Sequence, residues 1–252
     1  MIPAAAQLRG ARAKLQRAEE HFGELHADHE RFIQRNPYRM LRESDPEPGY
    51  YVWRAKIVEP PPLEKWGSLA GECVHALRSA LDHTAYELVQ INRPKSDYSE
   101  FPIFKDRDEW QKRGPKKLPG VDRRVLAQVK WLQPYRRRQD ADALWVIHEL
   151  DIVDKHRRLN LVSPIMRQLM SIPTGGRIVD MERFAGPFED GTPVARFKMV
   201  PHPGAQMHVN AEFLFDIALG DSTLKGQPIM ELLEGYRVYT AGVIARFDRF
   251  FS

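Results

Sequence analysis

The segment Asp140–Leu159 (DADALWVIHELDIVDKHRRL) constrains the fold of this chain more than any other. On a helix, Leu144, Trp145, Val146, Ile147, Leu150, Ile152, Val153 and Leu159 point in nearly every direction, so this helix is expected to be enclosed on most sides. Its ionisable residues then need partners, because an unpaired buried charge is costly. His148, Asp151 and Lys155 share a face at i, i+3 and i+7, and Asp154 and Arg158 form an i,i+4 pair. His156 and Arg157 project elsewhere.

The natural partner is Gly71–His83 (GECVHALRSALDH), part of a helix expected over 66–92. Spaced at helical period, Cys73, Leu77, Ala80, Leu81, Thr84 and Leu88 fall on one arc. Glu72, His75, Ser79, Asp82, His83 and Tyr86 fall on the opposite arc, with Arg78 at the border. Two further amphipathic helices are expected. One covers 4–35 and is stopped by Asn36-Pro37, because the residue before proline is pushed out of the α region. The other covers 227–251. Shorter helical pieces are expected at about 106–113 and 121–132.

The β signals are separate. Tyr38–Glu43 and Tyr50–Val58 flank Asp45-Pro-Glu-Pro-Gly49 and read as a hairpin. Phe101–Phe104 reads as a short strand, and 160–218 contains four β-rich runs divided by glycine and proline turns. The fold class is α+β, a single domain over 1–252 in which a bundle of about four long helices carries an antiparallel sheet.

Composition narrows the function classes. No apolar run approaches the roughly 18 residues that span a bilayer. The N-terminal residues turn charged at once and show no signal-peptide core. A single cysteine, Cys73, excludes an internal disulfide framework and suits a reducing compartment, so the expected location is cytoplasmic. Net charge is +4 but unevenly placed: Lys105–Arg138 holds 12 Lys and Arg against four acids, a local +8. Lys116, Lys117, Arg123, Arg124, Arg136, Arg137 and Arg138 are its candidate phosphate contacts, with Trp110, Trp131 and Tyr135 interleaved as stacking surfaces. A solvated helical face with structural aromatics is the alternative reading of the same stretch.

Three chemistries could use the two polar helices. Glu72-x-x-His75 has the spacing of carboxylate-bridged di-metal bundles, but no second Glu-x-x-His occurs. Cys73 lies on the apolar arc, where a thiol is packing rather than nucleophile. The third chemistry is general acid–base cleavage of RNA, in which a histidine moves a proton near neutral pH and an arginine holds phosphate.

Arg78-Ser-Ala-Leu-Asp-His83 resembles the Arg-x4–6-His signature of the HEPN superfamily. The resemblance implies that Arg78 binds phosphate, His83 acts as acid, base or nucleophile activator, Ser79 orients them, and two protomers meet at a composite site. Family members are compact and all-helical, so the β portion here is a departure. The middle of the chain also resembles uncharacterised actinobacterial and phage-associated proteins. These pair an LRSALDH-type helix with a DKHR-type helix and carry FPI and QPY elements between them, here Leu77–His83, Asp154–Arg157, Phe101–Ile103 and Gln133–Tyr135.

The leading expectation is a cytoplasmic, homodimeric, HEPN-like RNA-binding protein, in its sharpest form a metal-independent endoribonuclease of the toxin or phage-defence kind. Arg78, His83, Ser79 and Asp82 are its catalytic candidates. Glu72, His75, His148, Asp151, Asp154, Lys155 and His156 support them, with no cofactor. One alternative is a non-catalytic binding or regulatory module whose polar helix contacts are structural. A metal-binding helical protein is the other.

Overall fold

The computed structural model describes residues 8–92, 96, 98–137, 142–184, 186–206, 208–220 and 224–251. Among the described residues there are six α-helices and six strands, so the protein is α+β. The helices are α1 (Arg9–Gln34), α2 (Leu63–Asn92), α3 (Arg107–Arg113), α4 (Arg123–Leu132), α5 (Ala143–His156) and α6 (Ile229–Ala245). The strands are β1 (Tyr38–Ser44), β2 (Tyr50–Ile57), β3 (Leu161–Thr174), β4 (Gly176–Arg183), β5 (Pro193–Pro201) and β6 (His208–Leu219). No helix is long and apolar enough to cross a membrane among the described residues. The chain forms two compact units, one of residues 1–26, 67–159 and 230–252, the other of 27–66 and 160–229.

The second unit holds both sheets. One is antiparallel in the order β1-β2-β5-β4, and the other pairs β3 with β6. The β1–β2 hairpin turns at Gly49, whose φ of 81° glycine adopts without steric penalty. Arg196 on β5 holds the turn through Asp45 at 2.9 and 3.1 Å and Glu47 at 2.6 Å. Trp53, Ala195 and Phe197 form the buried apolar centre of this sheet, with the Trp53 and Phe197 rings 4.1 Å apart. β3 is the longest of the strands, from Leu161 to Thr174. It passes Pro164 by shifting register between Val162 and Ile165, which is how a ladder accommodates a residue without an N–H.

The first unit is helical, and its core joins residues of α1, α2, α4, α5 and α6. Along α2 the expected apolar arc is buried throughout: Cys73, Leu77, Ala80, Leu81, Thr84 and Leu88 have no exposed surface. Expected helix ends hold with small changes, except that the expected start of the first helix at residue 4 lies outside the described residues. Asp142 caps α5 by accepting from the Leu144 N–H at 3.0 Å, so the helix starts after Asp140, and residues 140 and 141 lie outside the described set. The final segment is a helix to Ala245 and then a 3-10 turn at Asp248–Phe250. α5 is less enclosed than its sequence implies, since Ile152 is exposed in its second half.

One expected element is absent. Phe101–Phe104 is extended and buried, but it is not a strand. Its backbone groups bond side chains instead of a neighbouring ladder. Asp82 accepts from the Phe101 N–H at 2.9 Å, and Arg78 donates to the Phe101 carbonyl at 3.1 Å. Gln133 accepts from the Phe104 N–H at 3.0 Å and donates to the Pro102 carbonyl at 2.8 Å. A buried backbone must find partners, and here two helices supply them.

Small residues on α2 set how closely its neighbours approach. A Cβ on Gly67 would lie 2.5 Å from the Leu159 carbonyl oxygen, and one on Gly71 would collide with the Asp154 carboxylate. Gly23 in α1 has no neighbour within 4 Å of an added Cβ. Gly67→Ala should therefore cost about 1–3 kcal/mol, since a backbone carbonyl must move. Gly23→Ala should stabilise by about 0.5–1 kcal/mol through helix propensity. Urea unfolding of both variants checks this, and shifts of the same sign would refute the close approach at Gly67.

Candidate functional site

The polar arcs of α2 and α5 do meet, within the helical unit, and they meet antiparallel. Leu159 lies by Gly67, Asp154 by Gly71, and Asp151 by His75. At this contact the His75 Nδ1 is 2.8 Å from Asp151 Oδ1, and Lys155 Nζ is 2.6 Å from Asp151 Oδ2. Asp151 is only 1% exposed, whereas both its partners reach solvent. Burial pushes the Asp154 carboxyl above its ordinary range, and the neighbouring Asp151 adds to the shift. Glu72 on α2 pairs with His21 of α1 at 3.0 Å. His156 ends α5 exposed to solvent.

A second cluster surrounds Arg78, which is 4% exposed. Its Nη1 donates to Asp82 at 2.6 Å, while its Nη2 donates to Glu100 at 3.2 Å and to the Phe101 carbonyl. Lys117 closes the cluster at 2.6 Å from Glu100. Burial raises the Glu100 carboxyl, but the Lys117 and Arg78 cations outweigh it and hold Glu100 below its ordinary range. The guanidinium is thus surrounded by carboxylates and a carbonyl of its own chain.

His148 lies in the field of this cluster. Burial, and then the Arg78 charge, bring its pKa down to about 4, with Lys117 acting in the same direction and Glu100 and Asp151 opposing. Its Nδ1 is buried with no hydrogen-bond partner among the described residues, and its ring meets Trp145 edge-on at 5.7 Å. The neutral ring is therefore the ordinary state at pH 7.

His83 sits apart from Arg78. Five positions on an α-helix turn about 140° around its axis, which carries the two side chains to different neighbours. The His83 Nδ1 would lie 2.5 Å from a Cβ at Gly10, so the ring packs on the start of α1. Glu87, one turn later, accepts from the Gly10 N–H at 2.9 Å and the Ala11 N–H at 3.3 Å. Ser79 is half-buried between these two regions. Arg78, Asp82, His83 and Ser79 consequently do not converge: the first two hold the Phe101 segment and the third faces α1.

Among the described residues no group of three His, Cys, Asp or Glu side chains is placed to hold a metal ion. Cys73 is buried, its thiol is pushed up to about 12 by burial, and it donates to the Ala18 carbonyl at 3.4 Å. It is packing, as its arc implied.

The basic stretch separates into inward and outward residues. Trp110 is 3% exposed and belongs to the core, so it offers no stacking surface, and Tyr135 is half-buried with its hydroxyl enclosed. Lys117 is drawn inward by Glu100. Lys112, Lys116, Arg123 and Arg136 stand exposed with no carboxylate partner among the described residues. Arg124 pairs with Asp122 at 3.3 Å, and Arg138 lies outside the described residues.

Trp131 is 45% exposed. The Arg137 and Arg246 guanidiniums lie 4.9 and 5.0 Å from its ring centre. It lines an open groove of about 840 Å³ between the end of α2, α4 and the C-terminal 3-10 turn.

Sequence reasoning missed Glu100, Gln133, Glu87, Arg246 and Arg249. The QPY and FPI elements were the available signal for Gln133, which donates to the Pro102 carbonyl and so joins them. Comparisons with protein-family models, curated proteins and solved structures find no match.

Removing Arg78 leaves Asp82 and Glu100 without their shared cation, so Arg78→Met should cost about 3–5 kcal/mol. Arg113→Ala, at an exposed i,i+4 pair with Glu109, should cost less than about 1 kcal/mol. Denaturant unfolding compares them, and similar costs would mean that the buried network contributes nothing special.

The lowered His148 pKa also sets a pH dependence. Between the ordinary value of 6.5 and about 4 the unfolded chain takes up a proton that the folded chain does not. Stability therefore falls as pH drops through that window and is flat in this respect above it. His148→Gln should flatten the slope of unfolding free energy against pH between those values. Parallel curves for wild type and variant would show that His148 is not the group responsible.

Proposed function

We propose that this protein is a non-catalytic RNA-binding module whose contact surface is the basic α3–α4 stretch. In this reading the α2–α5 polar network is scaffold. One contrast within the helical unit carries the reading. Arg78 is buried and engaged by two carboxylates and a carbonyl, while Lys112, Lys116, Arg123 and Arg136 are exposed and have no carboxylate partner among the described residues. A phosphate-binding arginine in a nuclease must reach its substrate, and exposed unpaired cations are what a phosphate backbone attracts.

The likeness to the HEPN signature fits this reading as a helix that organises its neighbours rather than as an acid–base pair. The long helices α1, α2, α5 and α6 are taken as the bundle that presents the basic stretch. Association into a homodimer belongs to the same proposal, and the mass of the protein in solution tests it.

Binding of a stem-loop RNA, measured by fluorescence anisotropy across a salt series, tests the main reading. Affinity should fall steeply with salt, as expected for release of counterions. The triple variant K116E/R123E/R136E should bind more weakly and lose about 2 from the slope of log affinity against log salt, at roughly 0.7 per phosphate contact. The RNA should stay intact throughout. No binding, or binding unchanged in the triple variant, would overturn the reading. Cleavage lost in both Arg78→Ala and His83→Ala would restore the nuclease.

A further inference from the structure

The groove beside Trp131 combines features that rarely occur together by chance. Its floor is apolar, with Leu88, Ile91 and Val125 among the lining residues, and Phe250 closes one side. Arg124 and Arg249 stand at its edge. Trp131 is part of the lining and is nearly half exposed, with two guanidiniums against its ring. Asp122, the acid in the lining, caps α4 by accepting from the Arg124 N–H at 2.6 Å and also pairs with the Arg124 guanidinium at 3.3 Å, which a phosphate would have to displace. The groove therefore mixes arginine side chains with apolar ones, and Trp131 is its exposed aromatic surface.

Few ligands match both features. A duplex offers phosphates, but its base faces are stacked on one another and cannot reach an indole inside a concavity. An acidic peptide would satisfy the arginines and leave the apolar floor uncovered. A single strand offers both, a free base face and phosphates on either side of it. We propose that this groove binds a single-stranded nucleic-acid segment, with one base stacked on Trp131 and the flanking phosphates held by Arg137, Arg246 and Arg124. The proposal rests on the nucleic-acid-binding reading above and names the site and the ligand form.

The guanidiniums on the indole give binding a defined exchange. An exposed cation–π contact is weak, and since Arg137 also donates to the Tyr239 hydroxyl at 3.2 Å and lies 3.9 Å from Asp142, Arg246 is the arginine that a base replaces on the ring. The displaced guanidinium then lies one side chain away from a phosphate of the same strand, where it can bond two oxygens at once. The arginines thus shield the indole in the free protein and become phosphate ligands in the complex.

Anisotropy with short labelled oligonucleotides tests this: single-stranded RNA, single-stranded DNA of the same sequence, and the RNA duplex, each with polyphosphate as competitor. The variants are Trp131→Ala and Trp131→Phe, with a melting curve to verify folding. Single strands should bind more tightly than duplex, and the tighter of RNA and DNA identifies the sugar that the site prefers. Trp131→Ala should weaken single-strand binding by about 5- to 150-fold, the range for loss of one stacked base, and leave duplex binding unchanged. Trp131→Phe should recover most of the loss. Equal binding of duplex and single strand, or single-strand binding unaffected in Trp131→Ala, overturns the groove as the site while the charge-based reading stands. Binding to polyphosphate alone has the same consequence. Failure of every polyanion to bind removes the nucleic-acid reading itself.

Discussion

The Arg78 guanidinium is the contact on which the helical unit depends. It joins α2 to the buried Phe101–Phe104 segment through Asp82, Glu100 and a backbone carbonyl, and Lys117 completes the charge balance. Gln133 holds the other half of that segment from the end of α4. Extended chain in a helical core has no ladder to satisfy it, so polar side chains must enter the core. Once they do, each must be paired, which explains why the most ionisable stretch of α2 is also among its most buried.

The second requirement is close approach. Gly67 and Gly71 bring the Leu159 carbonyl and Asp154 against α2, and Gly10 brings the start of α1 against His83. With bulkier residues at Gly67 and Gly71 the 2.8 Å contact between His75 and Asp151 would open, and the buried Asp151 would lose one of its two partners. The scaffold and the polar network are the same device seen at two scales.

Much of this was legible in the sequence. Helical periodicity marked α1, α2, α5 and α6, and Pro/Gly punctuation marked the hairpin, because both signals are local. The meeting of the two polar helices followed from an argument about enclosure: charges on a helix apolar nearly all round must find partners. Phe101–Phe104 misled because an apolar β-prone run looks the same whether its hydrogen bonds go to a strand or to side chains elsewhere. Asp82 and Gln133, which hold that run, lie 19 and 29 positions from Phe101 and Phe104, beyond any local pattern. His83 was correctly placed on the polar face of α2, but its neighbour at Gly10 is set by tertiary packing. Trp110 and Trp131 look alike in a basic stretch, and only the fold separates a core ring from a surface one.

The start of α1 has a consequence for how the chain assembles. The helix carries no acidic residue in its first turn, and its opening N–H groups are capped by Glu87, 77 positions away. A helix begun in this way has no strong local nucleus. Its first turn gains the Glu87 cap only where α2 lies against it, so a contact of long sequence separation completes the start of this helix.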